Sequence, residues 1–253
     1  MRVVILGAGT SIPAKGYSPA GIYVDVGGEH LLFDAGPGTL QRLQAIGISF
    51  QQIDRLFLTH YHVDHCLDLI SLLFAWHIPR PMRRCPLTIY GPPGLARLHR
   101  QLNTAFHRWL EPRGCRLRIR ELDEARIRCP GYVVYSRWMR HSASALGYRL
   151  EAEGKSMAYS GDTDVCEAVI ALGKDADLFI LECSMPDEQK TAGHLTPMEC
   201  GQIARRADCR HLALTHFYPL FRRRSDIRTS VRKCFQGRLT LARDLTRLVL
   251  ASS

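Results

Sequence analysis

Short apolar segments separated by glycine and polar turns recur along the chain, a pattern typical of β-strands. They cover residues 3–7, 22–26, 30–34, 56–59, 87–90, 178–182 and 212–215. Two helices are predicted between them. One spans 37–46, with Leu40 and Leu43 on one face, and the other spans 197–207 behind Thr196, a good N-cap that is followed by proline. Strands and helices therefore alternate along the chain.

Residues 145–160 interrupt this alternation. They predict a β-hairpin that turns at Glu153-Gly154, which a purely parallel doubly wound sheet would not contain. We therefore expect an α/β (α+β) fold with mixed sheets covered by helices. The 253 residues suffice for one large core and no Pro/Ser-rich linker divides them, so a single domain over 1–253 is expected.

Charge is distributed unevenly along the sequence. The net charge is +10, and the segment 80–128 holds twelve arginines against four acidic residues. Such a surface attracts polyanions such as nucleic acid, although it also favours solubility whatever the substrate. The nine cysteines form no CxxC pair, no apolar run is long enough to span a membrane, and the first residues lack a signal-peptide pattern. These observations favour a cytoplasmic protein.

Four side chains able to bind metals follow the strand predicted at 56–59. They are His60, His62, Asp64 and His65. His60 and His62 project to the same side of an extended chain, whereas the other two begin the next helix and point elsewhere. A catalytic zinc site needs only three protein ligands, and clustering such groups without a cation is electrostatically costly. The cluster therefore predicts two neighbouring metal sites, a better explanation than ordinary surface or core histidines.

The pattern HxHxDH resembles the signature of the metallo-β-lactamase superfamily, and the resemblance runs along nearly the whole chain. Other positions of that family match in order at His141 in Arg-His-Ser, Asp162 in Ser-Gly-Asp-Thr and His216 in Leu-Thr-His-Phe. The resemblance implies a four-layer αββα sandwich with a dinuclear site at the sheet edge. It implies that one metal is held by His60, His62 and His141, the other by Asp64, His65 and His216, and that Asp162 bridges both. Asp34 resembles a family carboxylate near the metals, although a turn-forming aspartate explains it almost as well.

Several motifs are similar to the ribonuclease Z branch of that superfamily. They are the opening Leu-Gly-Ala-Gly-Thr-Ser-Ile-Pro, the Gly-Tyr-Arg after His141, and Ser-Gly-Asp-Thr. Leu181-Glu182-Cys-Ser and Gly193-His194-Leu-Thr correspond to the branch's HEAT and HST motifs. The resemblance implies that Glu182 orients His194 and that His194 protonates the leaving oxygen, with Asp64 also catalytic. The alternatives are a strand-end carboxylate that binds backbone N–H groups and a histidine at a helix entry.

The sequence departs from that branch in three places. Leu181 replaces the HEAT histidine, and Tyr17-Ser18 replaces a basic residue and an asparagine. Ribonuclease Z enzymes usually carry a flexible arm that grips tRNA, inserted between the equivalents of His141 and Asp162. Only residues 142–161 lie there in this chain, and the predicted hairpin uses most of them. The arm is therefore absent.

Arginines could take over phosphate binding from the arm. Arg116, Arg118 and Arg120 alternate with apolar residues, so three guanidinium groups share one face of a predicted strand. Residues 222–224 add three more arginines just beyond His216. The alternative is the solvated polar face of a half-buried strand, which alternation alone also predicts.

The sequence thus leads to the hypothesis of a dinuclear hydrolase that cleaves a phosphodiester with a metal-bound hydroxide. Its substrate would be RNA or a smaller nucleotide-like compound, and its metal zinc, with manganese and iron as alternatives. A small-molecule phosphodiesterase, or a hydrolase of other esters, would share the same fold and metals. A non-enzymatic nucleic-acid-binding protein would need only the basic surface, and the complete ligand set argues against it. A homodimer without membrane association is expected.

Overall fold

The computed structural model describes residues 1–78, 86–113 and 116–250, and these form two seven-stranded β-sheets packed face to face. The first sheet contains β1 (Arg2–Gly7), β2 (Gly21–Val26), β3 (Glu29–Phe33), β4 (Ile53–Phe57), β5 (Leu87–Gly91), β6 (Leu117–Glu121) and β14 (Thr246–Val249). The second contains β7 (Ala125–Cys129), β8 (Tyr132–Trp138), β9 (Leu146–Ala152), β10 (Lys155–Tyr159), β11 (Leu178–Glu182), β12 (His211–Thr215) and β13 (Arg238–Leu241).

Both sheets are mixed, as the predicted hairpin requires. The strand orders are β14-β1-β2-β3-β4-β5-β6 and β13-β12-β11-β10-β9-β8-β7. Strands β3 to β6 are parallel in the first sheet, and β10 to β13 are parallel in the second. Because parallel strands end on the same side, each sheet gathers several carboxyl ends at one edge.

The described residues form seven α-helices. They are α1 (Thr39–Ala45), α2 (Val63–Cys66), α3 (Asp68–His77), α4 (Leu95–Ala105), α5 (Glu167–Gly173), α6 (Pro197–Ala207) and α7 (Arg224–Arg232). All but the short α2 cover the outer faces of the sandwich. Leucines of α1, α3 and α4 pack on the first sheet, and apolar residues of α5, α6 and α7 pack on the second. The described helices are all too short or too polar to cross a membrane. The expected αββα architecture is confirmed.

An aromatic stack joins the two sheets in the central core. The rings of Phe33, Phe57 and Tyr90 lie on adjacent strands of the first sheet, with centroids 5.0 and 4.7 Å apart. Tyr148 of β9 contacts the Phe57 ring at 5.4 Å from the opposite sheet, and its hydroxyl donates to the carbonyl oxygen of Leu58 at 2.7 Å. The stack therefore fixes the end of β4, the strand that leads into His60.

Strand β4 starts and ends earlier than the predicted 56–59. It begins at Ile53, which pairs with His30, and it ends at Phe57. The backbone leaves the ladder there because the Thr59 N–H donates to the Asp34 carboxylate at 2.7 Å instead of to a neighbouring strand. A side chain distant in sequence thus ends the strand.

We expect Phe57→Ala to lower the free energy of unfolding by about 3–5 kcal/mol, the usual cost of deleting a buried aromatic ring. Phe57 is fully buried, whereas Val249 is 70% exposed, so Val249→Ala is the matched control and should change stability by less than about 0.5 kcal/mol. Chemical denaturation of both variants measures the difference. Similar small losses would show that the aromatic stack does not hold the sheets together.

Candidate metal centre

The candidate site lies at the edge of the sandwich where the carboxyl ends of β3, β4, β8, β10, β11 and β12 converge. From the first sheet come Asp34, His60, His62, Asp64 and His65, and from the second His141, Asp162, Glu182, His194 and His216. Every residue that the sequence predicts as a ligand or catalytic group is therefore in one place, although three separate stretches of chain supply the histidines of the second sheet.

The predicted ligands form two groups, and within each group the candidate ligand atoms lie within 4.8 Å of one another. The groups are His60, His62, His141 with Asp162, and Asp64, His65 with His216. His62 Nδ1 lies 3.2 Å from His141 Nε2, and His65 Nε2 lies 3.2 Å from His216 Nε2. Two nitrogen ligands on one tetrahedral zinc ion are roughly 3.3 Å apart. The spacing in each group therefore suits one shared cation.

Asp162 lies between the two groups. Its Oδ1 is 3.2 Å from His65 Nε2 and 3.4 Å from His216 Nε2. Its Oδ2 is 3.6 Å from His141 Nε2 and 3.8 Å from His60 Nε2. Each carboxylate oxygen faces a different group, which is the arrangement that a bridging carboxylate needs.

Two buried polar atoms at this site have no hydrogen-bond partner among the residues that the structure describes. They are His60 Nε2 and Asp162 Oδ1. Buried side-chain polar atoms are nearly always paired, so an unpaired nitrogen and an unpaired oxygen facing one cleft require an explanation. Cations supply one, because imidazole and carboxylate are the donors of histidine-rich zinc sites. The residues present thus fit two divalent cations.

Hydrogen bonds at the far side of each ring select the tautomer of four histidines. The Nδ1 contacts are His60 to Thr59 Oγ1 (3.0 Å), His65 to Asp34 Oδ2 (2.8 Å), His141 to the Gly193 carbonyl (2.8 Å) and His216 to Ser184 Oγ (2.9 Å). Protonation at Nδ1 leaves the Nε2 lone pair free to face a cation, and such contacts also fix the ring plane. His62 differs, since it directs Nδ1 towards the site.

Asp34 holds the first-sheet side of the site together. It is fully buried and accepts hydrogen bonds from Thr59 N, Thr59 Oγ1 and Tyr159 OH besides its contact with His65. Two features of the backbone near Asp34 allow the loops around it to pack closely: a glycine at position 36 and the conformation of Asp34 itself. A Cβ on Gly36 would lie 2.0 Å from the Asp64 carbonyl oxygen, and Asp34 itself adopts a left-handed conformation with φ 58°. Asp34 is therefore more than a turn residue.

His216 also has a left-handed backbone, with φ 60°. Non-glycine residues rarely adopt this conformation, and when they do the surrounding contacts must hold them there. Ser184 provides one such contact, because its Oγ lies within hydrogen-bond distance of both the ring Nδ1 and the carbonyl oxygen of His216. The strand-end residues Asp34 and His216 thus turn sharply into the cleft from opposite sheets.

Glu182 makes the contacts expected under both alternatives: those of a strand-end carboxylate that binds backbone N–H groups and those of a partner of His194. It is 1% exposed, and it accepts backbone N–H bonds from Thr163 at 2.8 Å and Leu195 at 3.1 Å, as a structural strand-end carboxylate would. Its Oε1 also lies 3.1 Å from His194 Nδ1, and its Oε2 accepts from Ser184 Oγ. Glu182 therefore contacts His194 directly and is linked to His216 through Ser184.

The buried charges shift several pKa values at the site. Burial lowers the pKa of His60 well below its usual range, and burial likewise lowers that of His62. Burial opposes protonation of His65 too, but the Asp162 and Asp34 carboxylates raise its pKa well above normal, so a cation at Nε2 would take the place of a proton there. Burial raises the pKa of Asp162, yet His216 and His65 hold it well below its ordinary value. His60 and His62 are thus neutral at physiological pH, the form that binds a metal.

Three contacts at the site have no clear sequence signal. Thr59, Ser184 and Tyr218 lie beside the predicted ligands, and the Tyr218 ring is 5.9 Å from the rings of both His194 and His216. Thr59 is adjacent to His60 in the sequence, and Ser184 and Tyr218 each follow a predicted residue, Glu182 and His216, by two positions. Three other histidines lie away from the cleft. His30 is hydrogen-bonded to Tyr23, His77 to the Glu111 carbonyl and His211 to Thr240.

Two arginines of the predicted strand, Arg118 and Arg120, lie on β6, the edge strand of the first sheet, and Arg116 directly precedes it. Arg116, Arg118 and Arg120 are exposed, while Leu117 and Ile119 between them are half-buried. Only β5 separates β6 from β4, so β6 is roughly 10 Å from the strand that leads to His60. The parallel direction of these strands carries Arg120 towards the metal-centre edge.

Known proteins share this sequence and architecture. The chain matches the family model "Beta-lactamase superfamily domain" over residues 29–217. Ribonuclease Z of Methanothermobacter thermautotrophicus is 29% identical over 287 aligned positions, covering 93% of this chain and 92% of that protein. The crystal structure of the short form of human tRNase Z is 26% identical with a TM-score of 0.79, covering 99% of this chain and all of that one. The metallo-β-lactamase fold protein YhfI of Bacillus subtilis superposes with a TM-score of 0.85 at 23% identity, covering 98% of both chains.

The family match extends over well more than half of the chain, from β3 to the residue after His216. It thus includes all six strand ends that build the site. The predicted resemblance is confirmed: this chain belongs to the β-lactamase superfamily and has the metallo-β-lactamase fold.

Proposed function

We propose that this protein is a metal-dependent phosphodiesterase that acts as an endoribonuclease of the ribonuclease Z type. The observation that carries the proposal is a His194–Glu182 pair placed beside a site with the donor set for two cations. His194 Nδ1 lies 3.1 Å from Glu182 and 4.0 Å from Asp162 Oδ2. Relatives named ribonuclease Z, similar along more than nine tenths of the chain, support the same conclusion.

Two groups of side chains would hold the metals. They are His60, His62 and His141 for one, Asp64, His65 and His216 for the other, with Asp162 shared. When bound, two divalent cations lower the pKa of a shared water towards about 7 and stabilise charge on the attacking and leaving oxygens of a phosphodiester. Zinc is our choice of metal because five of the seven donors are imidazoles.

His194 has the properties of a general acid. Burial lowers its pKa, but the hydrogen bond and the charge of Glu182 outweigh that effect and raise the pKa above the usual value for histidine. A larger protonated fraction therefore exists at neutral pH. With Nδ1 occupied by Glu182, the Nε2–H remains to donate to the oxygen that leaves the phosphorus atom. Lys190 donates to the His194 carbonyl and pairs with Asp164 and Glu199, which fixes this loop.

Recognition of RNA must rest on a different surface from that of the arm-bearing enzymes. The β9–β10 hairpin fills the interval between His141 and Asp162, and its turn at Glu153 and Gly154 has φ values of 53° and 70°. The alignment with the archaeal ribonuclease Z spans 287 positions, more than the 253 residues of this chain, so that relative contains inserted segments. We propose that three exposed arginines on or directly before β6, Arg116, Arg118 and Arg120, contact the RNA phosphates.

We expect about two divalent ions per chain after reconstitution, because seven ligand candidates exceed what one tetrahedral site uses. Asp162→Ala should lose more metal than any single histidine variant, since it removes a ligand from both sites. Elemental analysis gives the stoichiometry, and Asp25→Ala, which removes a half-exposed carboxylate on β2, is the control. At most one ion in the reconstituted wild type would contradict the dinuclear assignment, and an Asp162→Ala protein with two ions would contradict the bridge.

We expect His194→Ala to slow cleavage of a diester with a poor leaving group by about 10²-fold or more, and to slow cleavage of a nitrophenyl diester much less. The reason is that nitrophenolate leaves without a proton. The control is His211→Ala, a buried histidine that bonds to Thr240 outside the site. Equal losses on the two substrates would reject the general acid. A loss of bound metal would instead make His194 a ligand, since its ring also lies within ligand distance of Asp162 and His216.

We expect cleavage of precursor tRNA to be weak and strongly dependent on salt. Each phosphate contact should contribute roughly 0.7–0.9 to the slope of log affinity against log salt. Joint replacement of Arg116, Arg118 and Arg120 by alanine should reduce that slope and leave hydrolysis of a small nitrophenyl diester less affected. Binding and cleavage assays at low and moderate salt measure both effects. Tight tRNA processing that is insensitive to salt and to the triple replacement would place RNA recognition elsewhere.

A further inference from the structure

A cavity of about 290 Å³ opens beside the metal centre, between the loop after β1 and the segment after β12. Its walls are Ala14, Lys15, Tyr17, Phe217, Tyr218, Pro219, Phe221, Arg222, Arg224, Ile227 and Arg243. Small-ligand sites span about 300–1,000 Å³, so this volume suits one compact ligand group and not a folded domain of RNA.

Aromatic rings form one side of this cavity. The Tyr17 and Phe217 rings meet edge to face at 6.0 Å, and Phe217 meets Phe221 in the same way at 5.8 Å. The Arg224 guanidinium lies over the Tyr17 and Phe217 rings at 5.7 and 5.6 Å, and donates to the backbone carbonyls of Leu241 and Ala242. Arg224 therefore holds the inner rings in place. Tyr218 and Phe221 are only half-buried, so part of each ring remains open to a ligand.

Positive charge dominates the rim of the cavity. Lys15, Arg222 and Arg243 are exposed, and within the described part of the chain none of them forms an ion pair. No acidic side chain is among the described residues that line the cavity. Flat apolar rings next to uncompensated cations are the combination that binds a nucleobase together with a phosphate.

The same two chain segments reach the metal centre. The Ser11 N–H donates to Asp64 Oδ2 at 3.3 Å, four residues before Lys15. On the other side, Tyr218 follows the predicted ligand His216, and its ring lies 5.9 Å from the rings of His194 and His216. A ligand in the cavity therefore lies beside the side chains that we propose for cleavage.

We propose that this cavity binds one nucleoside phosphate adjacent to the scissile phosphodiester. The base packs on Tyr218 and Phe221, and the phosphate is held by Lys15, Arg222 and Arg243. That the nucleotide lies next to the cleaved bond rests on the proposed phosphodiesterase function. That the cavity binds a nucleotide does not depend on that function. Two sources share the ligand chemistry, a nucleotide within RNA and a free nucleotide.

Calorimetric titration of the metal-loaded protein with AMP and with ribose 5-phosphate tests the proposal. The two probes carry the same phosphate, so any contribution of the metals is common to both and the difference isolates the base. We expect AMP to bind about tenfold more tightly, in line with stacking of one base on aromatic rings. Phe221→Leu, which keeps the apolar bulk without the ring, should remove most of that preference.

Arg222→Ala should weaken binding of both probes about three- to tenfold, because it removes a phosphate contact and not a ring. Arg126→Ala is the matched control, since it removes an exposed arginine from β7, at the opposite edge of the second sheet from β13. It should leave AMP affinity unchanged. Melting temperatures of all variants establish that they are folded.

Equal affinity for AMP and ribose 5-phosphate, or AMP binding insensitive to both the Phe221 and Arg222 substitutions, would overturn the proposal even if the protein cleaves diesters. Loss of the AMP preference in Phe221→Leu together with weaker binding of both probes in Arg222→Ala would support it even if no diester is cleaved. A penta-adenylate that binds about tenfold more tightly than AMP would identify RNA as the source. Equal affinity for the two would identify a free nucleotide.

Discussion

Burial of four carboxylates in one cleft is the constraint on which the rest of the structure depends. The four carboxylates are all less than a tenth exposed and lie at the edge of the sandwich where the two apolar sheets meet; they belong to Asp34, Asp64, Asp162 and Glu182. Uncompensated charges there would cost far more free energy than a domain can spare. The protein meets this requirement with imidazoles, hydroxyls and backbone N–H groups, and it leaves atoms such as His60 Nε2 for cations. The contacts that compensate the buried charges are therefore the same contacts that position the side chains of the site.

The fold was most predictable where local signals agreed. Helix α6 begins and ends where the sequence indicated, because Thr196 and Glu199 form a capping box ahead of Pro197. The hairpin turn at Glu153-Gly154 was likewise predictable from its glycine, and both residues adopt the positive φ that such a turn requires. Strand β4 was less predictable. Its first half contains polar residues, and Arg55 is accommodated by Glu29 and Tyr132 from other strands, contacts that no local pattern reveals.

The candidate site was predictable to the extent that its residues occur in recognisable motifs. His60 to His65 are six consecutive residues, so their clustering is visible in the sequence alone. His141 and Asp162 are isolated there, and only resemblance to a family connected them with the cluster. The contact between Ser184 and His216 joins residues 32 positions apart, and the cavity between residues 14–17 and 217–227 joins segments about two hundred positions apart. Such contacts are products of tertiary packing and have no period or spacing to detect.

Both groups of candidate ligands take members from both sheets, and this division has a consequence for how the protein is made. His60 and His62 are synthesised about 150 residues before His216 and the strand β13 that lies next to β12. The last strand, β14, then pairs with β1, Arg2 opposite Val249. The cluster from His60 to His65 therefore cannot complete either group by itself, and assembly of the full donor set requires the two sheets to pack against each other.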